Sequence, residues 1–238
     1  MSAAQPATKV FRTPREVVWG RGSISYLENI KGKRALIVTD KTMTKLGTVA
    51  KAEHYLKKAG LEVKVFDEVE PEYSISTPMK IVEQHKGFSP DVIVGLGGGS
   101  CIDASKTFRI FFEHPHLTFE GVRYFGGPPK TPVLPFKKTI FVGISSTSGT
   151  GSEVTGSCVT TDPTIPAKCP VVSPMLIPNV TILDPDLADS MPKSLRADTG
   201  FDALSHAIPA YVSVFASDFT RAFALQATVL IMRYLPLA

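Results

Sequence analysis

Cysteine is scarce in this chain: three residues in 238, Cys101, Cys158 and Cys169, odd in number and without a C-x-x-C spacing. That argues against a disulfide scaffold and against a thiolate zinc site. No apolar run approaches the length needed to cross a bilayer, and Met1 to Lys9 is small and polar, without the hydrophobic core of a signal peptide. The expectation is a soluble, cytoplasmic protein with no membrane partner. Concentrated charge is missing as well. The net charge is +4, Lys and Arg are scattered, and Lys57-Lys58 and Lys137-Lys138 are the only lysine pairs. Nucleic-acid binding usually needs a basic stripe with interleaved aromatics, so no nucleic-acid partner is expected. The 43% hydrophobic content over 238 residues suffices for one large domain or one and a half ordinary ones.

The stretch that organises the chain is Asp91–Lys106, Asp-Val-Ile-Val-Gly-Leu-Gly-Gly-Gly-Ser-Cys-Ile-Asp-Ala-Ser-Lys. Val92 to Val94 reads as a buried strand. Gly95, Gly97, Gly98 and Gly99 form a turn, and Ser100 opens a helix through Ala104, Phe108 and Phe111. Glycines let a backbone approach a phosphate, and the free N–H groups and dipole of a first helical turn attract its charge. The spaced G-x-G-x-x-G fingerprint is absent. From spacing alone, an anion cradle and a tight turn at a strand end both fit.

Before that stretch, Val10 to Ile24 suits an opening strand or hairpin, and Ala35 to Asp40 reads as a buried strand ending in a carboxylate. One helix follows, with Leu46, Val49, Ala50, Tyr55, Leu56 and Ala59 on a single face and Gly60 as its stop. Leu61, Val63 and Val65 alternate with polar residues as a half-exposed strand. Thr77-Pro78 reads as an N-cap and first helical position, with the helix carrying Ile81, Val82 and His85 to Gly87. Such alternation predicts a parallel sheet with helices on both faces, ligands lying beyond the carboxyl ends of the strands. Asp40 and the Gly97–Ser100 turn should therefore face one crevice.

Downstream, Gly121 to Pro135 reads as a surface loop and Ile140 to Ile144 as another buried strand. That strand runs into Ser145 to Glu153, a second small-residue turn full of hydroxyls that suits pyrophosphate or ribose contacts. Val180 to Leu183 is a further strand. Asp184-Pro185-Asp186 and Pro192 mark a boundary, so residues 1–190 form an α/β domain and 191–238 begin a helical one. The helices are read as Thr199 to Val212 and Ser217 to Tyr234.

Within the first of these, Asp202 and His206 share a face and can supply two ligands to Fe²⁺ or Zn²⁺. Two bland readings compete: a surface pair, and a Thr199–Asp202 capping box. Asp198 and Asp202 would repel each other if both are helical, which a cation would relieve; Asp198 outside the helix would be merely solvated. His114-Pro115-His116 reads as surface histidines, and His54 and His85 as ordinary helix residues.

Three motifs together resemble the iron-containing (group III) alcohol dehydrogenases. They are Gly97-Gly98-Gly99-Ser100-x-x-Asp103-x-x-Lys106, Thr147 to Thr155, and Asp198-Thr199-Gly200-Phe201-Asp202-Ala203-Leu204-Ser205-His206-Ala207. Glu113-His114-Pro115, Met191 to Leu195 and Ala210 to Ser213 are similar to the alcohol dehydrogenase half of bifunctional aldehyde–alcohol dehydrogenases. The resemblance implies a Rossmann-like, dehydroquinate synthase-like α/β domain that binds NAD, then an all-helical domain, with metal and substrate in the cleft between them. By motif position, Gly98, Gly99 and Ser100 would hold the pyrophosphate, and Gly97 and Asp103 are further cofactor-binding residues. Ser146, Thr147 and Thr150 would line the nicotinamide side with Leu195 nearby, Lys168 would reach the nicotinamide ribose, and Asp40 the adenine ribose. A carboxylate at Asp40 repels a 2′-phosphate, so NAD is expected over NADP. Asp202 and His206 match two metal ligands, for Fe²⁺ first and Zn²⁺ second.

Implied as well are hydride transfer between short primary alcohols and aldehydes, with the metal acting as a Lewis acid on the substrate oxygen, and a homodimer or higher homo-oligomer. Three departures stand out. The family's other two metal ligands are histidines in a later helical stretch, and the sequence stops at Ala238, so a truncated helical domain is expected. Pro209 replaces an acidic residue; in a continuous helix it removes the bond to the Ser205 carbonyl, at roughly 3 kcal/mol or a kink. Cys101 replaces a proline, where the positive helix end could lower its pKa or burial could leave it inert. The rival functions are a catalytically incomplete dinucleotide-binding module and a polyol dehydrogenase of the same fold.

Overall fold

The computed structural model describes residues 10–238, so the reading of Met1 to Lys9 lies outside the described residues. β1 (Glu16–Trp19) is a single strand rather than half of a hairpin, and leads into a 3₁₀ turn at Ser23–Asn29. β2 (Arg34–Val38) ends two residues before Asp40, which caps α1 (Lys41–Lys45). The expected long helix is in fact two. Gly47 adopts φ 75° and separates α1 from α2 (Thr48–Lys58), leaving Leu46 49% exposed instead of on the buried face. β3 (Glu62–Phe66) follows Gly60, whose φ of 87° closes the preceding helix as expected.

α3 (Ser76–His85) starts earlier than Thr77-Pro78 suggests, with Ile75 at the cap position; the Thr77 hydroxyl instead donates to Glu70. β4 (Val92–Gly97) is buried along its whole length and feeds α4 (Gly99–Glu113). α5 (Phe119–Val122) takes the first two residues of the loop expected at Gly121 to Pro135, and Val122 and Val133 are buried rather than on the surface. β5 (Ile140–Ser145) is followed by an antiparallel pair that no period-2 pattern announces, β6 (Ser157–Asp162) and β7 (Ile165–Val172). Pro170 within β7 obscures the alternation there. β8 (Val180–Leu183) and the short α6 (Pro185–Ala188) complete this part.

The large sheet runs β1-β8-β5-β4-β2-β3 with every pairing parallel. From β2 the chain passes to β3 on one side and returns to β4 on the other. A crevice therefore opens beyond the carboxyl ends of β2 and β4. One face of the sheet packs Leu27, Val49, Ala52 and Leu56 against Ile37, Val94 and Val142. The other packs Ile81, Ile102 and Phe108 against Leu36, Ile93 and Phe141. Burial on both faces is why these strands read as unbroken apolar runs.

α7 (Lys193–Val212) begins six residues before Thr199, and α8 (Asp218–Tyr234) is capped by the Ser217 hydroxyl. The capping box at Thr199 is thereby ruled out, because its hydroxyl donates to the Leu195 carbonyl one turn earlier. Asp198 lies inside α7 but is exposed, where solvent screens its repulsion of Asp202. α7 runs through Pro209, which is three residues from its end. No helix among the described residues is long and apolar enough to cross a membrane.

Candidate functional site

A cavity of about 1800 Å³ opens at the crevice and extends to α7 and α8. Its floor is the start of α4. Gly98 holds the cap position there without a side-chain cap, which leaves first-turn N–H groups at Gly99 and Ser100 facing the space. The second turn fits closely against Gly99 and makes ordinary contact at Gly98. A Cβ on Gly99 would stand 2.9 Å from both Cγ2 and Oγ1 of Thr150, and one on Gly98 would stand 3.6 Å from Thr147 Cγ2. Gly97 has φ 139°, and a Cβ there would lie 2.7 Å from Cys101 Sγ.

Thr147 and Thr150 line the cavity opposite these glycines. Gly97 and Ser146 do not; they are buried behind it, where the Ser146 N–H donates to the Gly97 carbonyl at 2.9 Å and fastens the two turns together. Asp103 borders the cavity, but its carboxylate is engaged within the protein. Oδ1 accepts from the Ser152 hydroxyl, and Oδ2 accepts from the Val159 N–H at 2.9 Å. Burial holds this carboxyl above its ordinary range, against the opposing pull of Lys106, Ser152 and Val159.

Asp40 lies at the far end of the floor. Its Oδ1 accepts from the Thr42 and Met43 N–H groups at 2.7 and 3.0 Å, and its Oδ2 accepts from the Cys101 thiol at 3.3 Å. That thiol is buried, and burial together with the Asp40 charge pushes it well above its ordinary range. Both effects favour the buried, protonated thiol over one activated by the helix end. Lys168, on β7, also lines the cavity. It pairs with Glu72 at 2.7 Å across the mouth, both side chains being more than half exposed.

On the opposite wall, α7 contributes Leu195, Asp202 and His206. Asp202 Oδ1 and His206 Nε2 are 3.9 Å apart, on one helix face as the spacing predicts. A carboxylate and an imidazole suit a borderline divalent cation. Among the described residues no group of three or more His, Cys, Asp or Glu could hold a metal, so the pair stands without a third such residue beside it. The structure thus brings both small-residue turns, Asp40, Lys168 and the Asp202–His206 pair around one space. His114 and His116 stay apart from it, His114 bonding the Leu134 carbonyl.

Sequence reasoning missed the loop at Val69–Tyr73, the hairpin residues Val159–Thr161 and the α8 residues Phe223 and Ala227, all of which also line the cavity. Only the β-branched run Val159-Thr160-Thr161 offered a signal.

Comparison with known proteins accords with this geometry. A family model described as iron-containing alcohol dehydrogenase matches residues 14–185, and one for the C-terminal part of that family matches 196–238. The NADPH-dependent butanol dehydrogenase of Clostridium saccharobutylicum is 43% identical over 94% of this chain and 57% of its own length. The bifunctional aldehyde-alcohol dehydrogenase AdhE of Escherichia coli (strain K12) is 40% identical over 94% of this chain and 26% of its own. The iron-containing alcohol dehydrogenase from Thermococcus thioreducens superposes with a TM-score of 0.90 at 36% identity, over 96% of this chain and 60% of that one. The chain spans less than two thirds of each of these relatives. With the first family model covering residues 14–185, this chain belongs to the iron-containing alcohol dehydrogenase family.

Proposed function

We propose that this chain forms the dinucleotide-binding part, and a portion of the metal site, of an NAD-linked alcohol dehydrogenase/aldehyde reductase. Its substrates are short primary alcohols and aldehydes. The observation that carries this reading is the convergence of the glycine turn, the hydroxyl turn and the Asp202–His206 pair on one cavity. The family is iron-containing, and Fe²⁺ is the expected metal, with Zn²⁺ second. When bound, the nicotinamide supplies hydride chemistry and the metal a Lewis acid for the substrate oxygen.

The chain's own residues bind and orient. The Gly99 and Ser100 N–H groups hold the pyrophosphate, with Gly98 leaving room for it. Thr147 and Thr150 turn their hydroxyls to the nicotinamide side, and Lys168 leaves Glu72 for the ribose. Leu195 provides an apolar wall that limits water. Asp202 and His206 hold the metal. In this reading residues 1–190 are the nucleotide domain and 191–238 belong to the helical one. The whole enzyme works in the cytoplasm as a homodimer or larger homo-oligomer.

The test is made on this chain: NADH binding by fluorescence, iron content after reconstitution, and NADH oxidation with short aldehydes and with polyols. Binding, stoichiometric iron and aldehyde turnover are the expected results. NADH binding without metal or turnover would establish the second reading, an incomplete module, which the two-member donor set favours. Turnover mainly of polyols would move the substrate class. His206→Ala is expected to weaken iron binding on the order of tenfold or more, as ligand loss exceeds loss of its supports. Unchanged iron content would remove His206 from the metal site.

Asp40 sets the cofactor. Its carboxylate faces a ribose hydroxyl in NAD but would face a phosphate in NADP. Asp40→Ala should narrow the preference for NAD by roughly tenfold, or about 1.4 kcal/mol. The comparison is informative because the butanol dehydrogenase relative is NADPH-dependent by name. An unchanged ratio of the two dissociation constants would sink the ribose assignment.

A further inference from the structure

Lys106 is 1% exposed and sits in the middle of α4, yet among the described residues its ammonium has no carboxylate at hydrogen-bond distance. It donates to three backbone carbonyls, those of Ser152 at 2.6 Å, Ser157 at 2.7 Å and Thr155 at 2.9 Å. The Ser152 and Thr155 hydroxyls lie slightly farther off, at 3.4 and 3.3 Å. One turn earlier on the same helix, Asp103 accepts from the Ser152 hydroxyl and the Val159 N–H. Cation and anion thus grip Ser152–Val159 from one helix face. The lysine takes its carbonyls, and the aspartate takes a hydroxyl and an N–H.

That segment is the direct continuation of the turn that carries Thr147 and Thr150. The Ser152 N–H donates to the Thr150 hydroxyl at 3.2 Å, so the grip is passed back to the turn. That turn stands so close over Gly99 that a Cβ added there would lie 2.9 Å from Thr150. The segment 152–157 has little regular structure, one 3₁₀ turn at Ser152–Val154. Without Lys106 all three carbonyls lose a short bond, and that of Ser152 keeps only the 3.4 Å bonds from the Thr155 N–H and hydroxyl. Carbonyls so arranged require a cation with three N–H bonds directed apart, which an ammonium offers and an apolar side chain does not.

We propose that Lys106 is a positioning residue for the dinucleotide: it never touches the cofactor but pins the hydroxyl turn over the start of α4. Asp103 is its partner in that clamp, not a group that contacts pyrophosphate. The inference rests on the dinucleotide reading above. It divides the cofactor in two. The adenine end, at Asp40 and the first turn of α4, does not depend on the second turn, whereas the nicotinamide end does.

Lys106→Met tests this on the full chain, with AMP as the probe of the adenine end and NADH as the probe of both. The expected result is a dissociation constant for NADH about tenfold higher, with that for AMP unchanged. Amide hydrogen exchange should accelerate at residues 147–157 while the sheet stays protected. Equal weakening of AMP and NADH, or no weakening of either, would overturn the proposal. So would unchanged exchange in 147–157. Should Lys106→Met fail to fold, Asp103→Asn carries the same pair of measurements with a smaller shift in the same direction. If the wild-type chain binds no NADH, the dinucleotide reading falls, and the exchange result alone decides whether the clamp exists.

Discussion

Replacing Glu113 with alanine is expected to lower the unfolding free energy by about 3–5 kcal/mol, measured by urea denaturation. Glu113 ends α4 with its side chain 2% exposed. Its carboxylate accepts from the Lys137, Lys138 and Thr139 N–H groups at 2.8 to 2.9 Å and from the Thr139 hydroxyl. The same threonine binds Arg109 Nε at 2.9 Å, and Arg109, 4% exposed, lies over Phe136 at 4.1 Å. Alanine would leave the guanidinium without its counter-charge and the N–H row ahead of β5 without an acceptor. A loss under about 1 kcal/mol would show that the network is dispensable.

The pH dependence follows from the same carboxylate. Burial pushes its pKa up, but the Thr139 hydroxyl, the two lysine N–H groups and Arg109 together hold it below the ordinary value. A depressed carboxylate stabilises the fold above its unfolded pKa, and that contribution disappears as pH falls through the folded value. The stability gap between wild type and Glu113→Gln should therefore be full at neutral pH and close in acid. A gap that widened in acid would contradict this assignment.

Gly99→Val is expected to raise the dissociation constant for NADH on the order of a hundredfold. Two charge-assisted hydrogen bonds at about 1.5 kcal/mol each make up that factor. The backbone at Gly99 is not left-handed, so a side chain is tolerated there by the helix itself. What it meets is Thr150, 2.9 Å from the first atom added. The turn that carries Thr150 must shift to admit the side chain, so a modest fall in unfolding temperature is expected alongside the weaker binding. A dissociation constant within about threefold of wild type would show that no phosphate lies against this turn.

Strands β2, β4, β5 and β8 were legible because burial on both faces leaves short apolar runs bounded by Gly, Pro and Asp. The Asp202–His206 face was legible because helical geometry fixes what lies four residues apart. Three boundaries were not. Gly47 breaks a helix that its apolar period would continue, since an adopted φ of 75° is a conformation and not a pattern. Thr199 fits a capping motif but lies inside α7, because Pro192 at the cap position starts the helix first. The β6–β7 hairpin has no alternation to announce it, and packs its Cys158 and Val171 under α4 and α5.

Local sequence determined the building parts of this protein: a glycine turn that leaves helix N–H groups bare, a hydroxyl turn after a buried strand, and a carboxylate–imidazole pair one helical turn apart. Their chemistry is written in residue types and short spacings, which the chain cannot alter by folding. Only the tertiary structure decided which of these groups are free. Asp103 and Lys106 share the motif of the glycine turn, yet packing of the hairpin against α4 turns both inward. Asp40 is tied to α1 by a local cap at Thr42 and Met43, but to Cys101 across 61 residues, a contact that no local pattern encodes. Burial and partner choice are set by what lands opposite, and that is a property of the whole fold.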